Sequence, residues 1–390
     1  MDLEKLLIPE IQEWIEKNAN ENPHKLALKK SPFGDIPMHI LAEQIAGKQK
    51  FSKKVPFLSK AKNIIFPPKI NIEQTSSWDT ALYKANLIKA KKIVDITGGF
   101  GIDCMAFSEK FKEVYHIEQN SDLQKIAELN FKNLDLKNIQ SKNLNGLSFL
   151  DETHENFDVI YADPSRRDDN KNRVFKIEDL TPSPLEIILK SLDKTNYLML
   201  KLSPMLDLKD AVNKLENIKE IHIVSVKNEL KELLFILQNN KTEDIKIHCV
   251  NLQTNQPEYI FNNINDLEIS SFSTPLKYLY EPNASIMKSG AFNRIAKDFG
   301  LKKLDLNTHL YTSNDLINDF PGEIYTDIKS IENPKKYLKN KSIRFIKRNF
   351  PNDLQKLKKQ YKFKTDGTEI VIFTSSINGV HILTAKSLNK

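Results

Sequence analysis

Along the first 75 positions, apolar residues recur every three or four. In LEKLLIPEIQEWIEK, Leu3, Leu7, Ile11, Trp14 and Ile15 fall near one face, which predicts an amphipathic helix. Residues 37–47 repeat the pattern. The stretch from Lys53 to Lys69 contains Pro56, Pro67 and Pro68 and reads as an extended connection, because proline restricts both its own backbone and the residue before it. EQTSSWDTALYKANLI follows, with Ser76 or Ser77 as the N-cap of a helix reaching about Lys89.

From residue 91 the period changes. Short apolar runs (KKIVDIT, VYHIEQ, IQSKNLN, FDVIYADP, NYLMLKLSP) alternate with helix-like stretches (IDCMAFSEKF, SDLQKIAELNFKNL, and segments near 183–192 and 207–215). Strand–helix alternation at this spacing predicts βαβ units, hence a mostly parallel sheet covered by helices. The runs near 219–226 and 232–238 lack a helix-length spacer, so an antiparallel edge strand is expected there. After Asn239 the alternation stops. Residues 243–265 read as a hairpin and Tyr278 to Tyr280 as a short strand. Asn283 would cap a helix ending at Phe299, with Gly300 behind it. Two helix-like stretches, 335–350 and 352–364, precede two strands joined across Asn378-Gly379, a hairpin signal. The expected segments are 1–74 (helical), 75–240 (the sheet domain), 241–324 and 325–390.

Composition narrows the function classes. No apolar run approaches the ~18 residues of a membrane span, and five acidic residues among the first twenty argue against a targeting peptide. The two cysteines, Cys104 and Cys249, form no framework, and the eight histidines show no ligand spacing, so a cytoplasmic, metal-free protein is expected. The net charge of +7 is uneven. Residues 325–390 hold fifteen Lys or Arg against five Asp or Glu, a net +10, which leaves −3 for residues 1–324. Lys335, Lys336, Lys339, Arg344, Lys347 and Arg348 would recur along one helix, with Tyr337, Phe345 and Phe350 interleaved. A basic module on a slightly acidic body is an electrostatic footprint for RNA, with Arg344 and Arg348 as contacts.

Three of only eleven glycines, Gly98, Gly99 and Gly101, fall within four positions, in Asp95-Ile96-Thr97-Gly98-Gly99-Phe100-Gly101. Glycines between strand and helix let a ligand approach the backbone. The dinucleotide pattern GxGxxG is not met, since Cys104 stands at the third position. Asp95 at the strand end would repel a pyrophosphate. It suits a cation with an amino-acid end, such as S-adenosylmethionine (SAM). Glu118, ending the next strand, is placed to accept the ribose hydroxyls. Asn145 stands where relatives of this layout carry an acid near the adenine, and Asp103 would favour the helix dipole.

The next apolar strand ends in Asp163-Pro164-Ser165-Arg166-Arg167, at the same sheet edge as the glycines. Asp163 and the Pro164 carbonyl could accept hydrogen bonds from an amine and aim its lone pair at a methyl donor. No His base or nucleophilic Cys is evident beside them, which fits N- better than C-methylation. Arg166, Arg167 and Arg173 are three of only six arginines and suit forked recognition of phosphate. Lys201, at the following strand end, either lines the same mouth or is a surface lysine.

These residues together resemble class I SAM-dependent methyltransferases. More narrowly, the chain is similar to the bacterial family with a C-terminal THUMP-like domain. The matching segments are IIFPP, EQTSSWDTALYKA, DITGGFGID, DPSRR, LMLKLSPM, LYEPNASIMKSG and the tail ending in GTEIVIF. The resemblance implies an α/β fold: a Rossmann-like methyltransferase sheet with an N-terminal helical region, a ferredoxin-like segment near 275–322 and a small C-terminal α+β THUMP-like module. It implies RNA, either tRNA or rRNA, as substrate. It places EQTSS over the cofactor, with Thr80 in contact. Asp163-Pro164 resembles the (D/N)PP(Y/F) motif of amino-methylating enzymes, with Ser165-Arg166 in place of Pro-aromatic. The other readings are an RNA-binding protein with a vestigial methyltransferase fold and a small-molecule methyltransferase. A nicotinamide dehydrogenase fits Asp95 and Cys104 least.

Overall fold

The computed structural model describes residues 3–166, 177–240, 244–263 and 271–388. The chain divides into two units, Met1–Lys219 with Leu233–Glu243, and Glu220–Glu232 with Asp244–Lys390. Among the described residues no helix is long and apolar enough to cross a membrane.

In the first unit the apolar runs become β1 (Lys92–Asp95), β2 (Glu113–Ile117), β3 (Ile139–Lys142), β4 (Phe157–Ala162), the two-residue pair β5 (Ser165–Arg166) and β6 (Leu180–Thr181), and β7 (Thr195–Leu202). β3, β2, β1, β4 and β7 pair side by side, all parallel. β8 (Ile218–Val226) leads through a tight turn into β9 (Glu229–Leu237), whose second half runs antiparallel to β7. β9 is not the edge strand expected there, because β8 is its neighbour on the other side. The sheet is a Rossmann-like methyltransferase sheet. From β1 the chain moves out to β2 and β3, then returns to place β4 on the other flank of β1. Such a reversal opens a crevice beyond the strand carboxyl ends.

The N-terminal helices join this unit's core. Leu41, Ile45 and Phe51, on the helix Met38–Lys54, are fully buried, and Phe51 packs on Phe66 and Phe100 with ring centroids 5.6 and 5.3 Å apart. The IIFPP segment is extended and buried from Ile64 to Pro67, so its backbone needs partners. Two buried amides supply them. Asn130 donates to the Ile65 carbonyl at 2.8 Å and accepts from its N–H at 2.9 Å. Gln44 does the same for Phe66 at 2.9 and 2.8 Å. Upstream, Pro56 opens a short helix, Pro56–Lys60, inside the stretch expected to be extended, because proline is well suited to a first helical turn.

The second unit contains β10 (Lys246–Leu252), parallel to β8, and β11 (Tyr259–Asn262), which closes the expected hairpin. It also holds a mixed sheet. Its strands are β12 (Tyr278–Pro282), β13 (Lys302–Asp305), β14 (Thr308–Ser313), β15 (Gly322–Ser330), β16 (Ser342–Arg348), β17 (Lys364–Ser376) and β18 (Gly379–Ser387), in the order β13-β14-β12-β15-β18-β17-β16. Three expectations change here. The helix over 335–350 is instead a short helix, Pro334–Leu338, followed by β16. Paired along parallel β17, SIRFIKR buries Ile343 and Ile346, so the basic residues are not on one helix. The helix from Asn283 splits into Ala284–Ser289 and Phe292–Asp298 at Gly290, whose φ is +75°. At the β17–β18 hairpin, Ser376 pairs with Gly379, so the loop is Ile377-Asn378 and the positive φ, +114°, falls on Gly379.

Candidate functional site

The site begins where β1 stops. The loop Ile96–Gly101 leads into the helix Ile102–Ser108. Gly98 donates its N–H to the Ile117 carbonyl at 2.8 Å, and a Cβ there would sit 2.3 Å from the His116 ring. Gly101 has φ +87°, and a Cβ would lie 2.4 Å from Phe131. The loop is thus stitched to the end of β2 at positions where only glycine fits. His116 completes the seam. Burial pushes its pKa down to about 4, so the ring is neutral. Its Nε2 donates to the Gly99 carbonyl at 3.1 Å, which leaves Nδ1 to accept from the Ser141 hydroxyl at 2.9 Å. Glu118 follows. One carboxylate oxygen accepts from the Gly99 N–H at 2.8 Å and the other from the Asn120 N–H at 2.7 Å.

On the other flank, β1 and β4 carry a carboxylate cluster. The Asp95 side chain is 2% exposed. Its Oδ1 accepts from the Thr97 N–H at 2.9 Å and the Thr97 hydroxyl at 3.1 Å, and its Oδ2 faces the Cys104 thiol at 3.6 Å. Burial and then the neighbouring Asp103 carboxylate push the Asp95 pKa up to about 8, with Asp163 adding to the effect. Thr97 also receives the Asp163 N–H on its hydroxyl at 2.7 Å, so one side chain joins the two strand ends. The Asp163 carboxylate is ion-paired with Lys201, on β7.

Asp103 is more than a helix-dipole residue. It is buried, with Lys84 at 3.1 Å, Ser76 at 2.9 Å and the Tyr161 hydroxyl at 3.0 Å. Burial opposes its ionisation, but Lys84, Lys201 and Ser76 together hold its carboxyl below the ordinary range. Lys201 is no surface lysine: its side chain is 13% exposed and its charge serves both Asp163 and Asp103. Lys84, Ser76, Tyr161 and His116 were not singled out from the sequence as site residues. Lys84 is one lysine among 52, and nothing in its local pattern marks it as buried.

The structure thus ties Asp95, Thr97, Gly98, Gly99, Gly101, Glu118, Asp163 and Lys201 into one hydrogen-bonded rim. Pro164 is buried beside it and Ser165 is exposed. Two expected contacts have other employment. The Thr80 hydroxyl is buried and donates to the Ser77 carbonyl at 3.0 Å within its own helix cap. Asn145 is exposed, caps the helix Gly146–Glu152 and reaches Gln119 at 3.0 Å. The Arg166 side chain, Arg167 and Arg173 lie outside the described residues. In the second unit Arg344 is exposed, whereas Arg348 is ion-paired with Glu281, a carboxylate that also accepts from the Tyr325 hydroxyl at 2.8 Å. Arg294, which had no expected role, lies over the Phe261 ring at 5.5 Å.

A family model for a ferredoxin-like domain matches residues 278–321. No curated protein matches the chain. Among solved structures, a Porphyromonas gingivalis W83 protein provisionally described as a methyltransferase is 28% identical, with a TM-score of 0.82 over 99% of this chain and 98% of that one. A Streptococcus mutans protein, provisionally described as a methyltransferase and solved in complex with SAH, is 16% identical over 40% of this chain and 96% of its own, with a TM-score of 0.31. A Streptococcus thermophilus rRNA methylase has the same identity and score over 42% and 95%. The end-to-end likeness to the first agrees with the Rossmann-like methyltransferase fold traced above.

Proposed function

We propose that this chain, a methyltransferase by fold, uses SAM to methylate a nitrogen of a base in structured RNA, tRNA or rRNA. Bound SAM supplies an electrophilic methyl group on a sulfonium. The observation that carries the cofactor reading is the asymmetry of three neighbouring carboxylates. Asp103 has Lys84 and Asp163 has Lys201, while Asp95 meets only neutral donors among the described residues. A buried carboxylate without a cation is poised for one. The ammonium of the cofactor's methionine end fits that need. Glu118 retains lone pairs for the ribose hydroxyls, and the glycine loop admits the cofactor against the backbone. Asp163 and the Pro164 carbonyl accept from the target amine and aim its lone pair.

Asp95 yields a test. In the free protein it is protonated below about pH 8, and its neutral form favours the fold. That contribution is complete below about pH 4 and is lost as pH rises through about 8. Binding a cation favours the ionised form, so at pH 7 the wild type should release close to one proton as SAM binds. Calorimetry in buffers of different ionisation enthalpy measures this. Asp95→Asn should abolish the release and weaken SAM by about ten- to a hundredfold, the worth of a charged hydrogen bond. Unchanged affinity and proton release in that variant would overturn the assignment.

The RNA reading rests on charge. Lys335, Lys336, Lys339 and Arg344 are exposed, as are Lys359, Lys362 and Lys364. Replacing the first four by Ala should flatten the dependence of log affinity on log salt by about 3, at roughly 0.7–0.9 per lost phosphate contact. SAM affinity should stay unchanged. Comparing modified nucleotides in total RNA with and without the gene would identify substrate and atom together. RNA binding without any missing mark would favour the vestigial reading.

A further inference from the structure

The second unit brings together a set of side chains that the methyl-transfer site does not use. On the parallel strands β8 and β10, His222 stands directly opposite His248. Glu220, two residues before His222, shares its side of the strand. The imidazole rings stack with centroids 4.3 Å apart and planes 15° apart. Glu220 Oε2 lies 3.4 Å from His222 Nε2 and 3.9 Å from His248 Nε2, and one ligand atom from each of the three residues lies within 4.8 Å of the others.

A fourth residue orients the set. Glu258, just before β11, meets His248 Nδ1 at 2.7 Å. The carboxylate accepts the Nδ1–H, so the lone pair of that ring is on Nε2, the atom aimed at Glu220. A carboxylate behind an imidazole is the arrangement that fixes metal-ligating histidines. The dimensions also agree. Donors bound tetrahedrally at about 2.0–2.2 Å from zinc stand roughly 3.3 Å apart. The Glu220–His222 edge already has that length, the Glu220–His248 edge is about half an ångström longer, and the two stacked rings would have to turn for their Nε2 lone pairs to converge on one ion.

We propose that Glu220, His222 and His248 form a site for one divalent transition-metal ion of the zinc type, with Glu258 as the residue that positions His248. Three protein ligands leave a further coordination position for water. Because the ligands come from two strands, with His222 and His248 26 positions apart, no sequence spacing announces them. The ion would clasp β8 to β10.

The test uses the full-length protein, stripped with a chelator and titrated with Co²⁺ and then Zn²⁺. The expected result is one Co²⁺ per chain with visible d–d bands, displaced by one Zn²⁺, and a rise in the unfolding midpoint with Zn²⁺. Glu258→Gln should weaken the ion by about 10–100-fold. His248→Ala and the milder Glu220→Gln should each abolish the d–d bands, with circular dichroism confirming that both are folded. No stoichiometric uptake, or uptake that survives both ligand substitutions, would overturn the proposal. SAM affinity, measured in parallel, should be unchanged in these variants, so the site stands or falls separately from the methyl-transfer reading.

Discussion

Asp163→Ala is expected to slow methyl transfer by about 10²–10³-fold, the usual cost of losing one group that stabilises developing charge. SAM affinity should change by less than about threefold, within what a lost rim interaction costs at most. The prediction follows from position. Asp163 lies two residues past Tyr161, which pairs with Asp95, and its N–H is held by Thr97. Its carboxylate therefore sits beside the glycine loop without belonging to it. The alanine variant also removes a charge that raises the Asp95 pKa. Affinities should therefore be compared at pH 8.5, where Asp95 is mostly ionised in both proteins. Asp163→Asn keeps an acceptor but loses the ion pair with Lys201, and should fall between. A full methylation rate in Asp163→Ala would remove this residue from the catalytic assignment.

Lys84→Met should cost about 3–5 kcal/mol of stability, because it strands a buried charge. The Lys84 side chain is 0% exposed, and the Asp103 carboxylate it pairs with is left with Ser76, Tyr161 and the more distant Lys201. Both tryptophans, Trp14 and Trp78, belong to the first unit, so urea unfolding followed by their fluorescence reports on it. The sign of the pH effect is fixed by Asp103. Its lowered pKa means that the pair stabilises above the ordinary carboxylate range and loses that contribution in acid. The gap between wild type and variant should therefore narrow as pH falls. Adding Asp103→Asn to Lys84→Met should recover part of the loss, since the stranded charge is then gone. A loss below about 1 kcal/mol, the level of an exposed pair, would show that Lys84 is not a buried partner.

How far the site was legible depended on which property a residue carries. Gly98 and Gly101 are visible in sequence because glycines gathered between an apolar run and a helix mark a tight loop, although the groups that exclude a side chain there, the His116 ring and Phe131, come from elsewhere in the fold. Asp95, Glu118 and Asp163 are visible because each ends an apolar run. Residues 342–348 form a strand in place of the expected helix because SIRFIKR satisfies helical and strand periods about equally, and only pairing with β17 decides between them. Thr80 and Asn145, expected at the cofactor, each also take part in the N-terminal cap of their own helix, a local role that the sequence pattern does not separate from cofactor contact.

Legible along the chain alone were the strand–helix alternation from residue 91, the glycine loop, the strand-end carboxylates and the basic tail. Periodicity, backbone freedom and charge are properties of neighbouring positions, and they survive without knowledge of the fold. Which charge meets which emerges only once the chain is folded. Lys84 reaches Asp103, Lys201 reaches Asp163, Asp95 meets neutral donors among the described residues, and two histidines from separate strands face one carboxylate. Those partnerships depend on β4 lying beside β1 and β10 beside β8. Burial then turns proximity into shifted pKa values, because a charge removed from water must find its counterpart through space rather than along the chain.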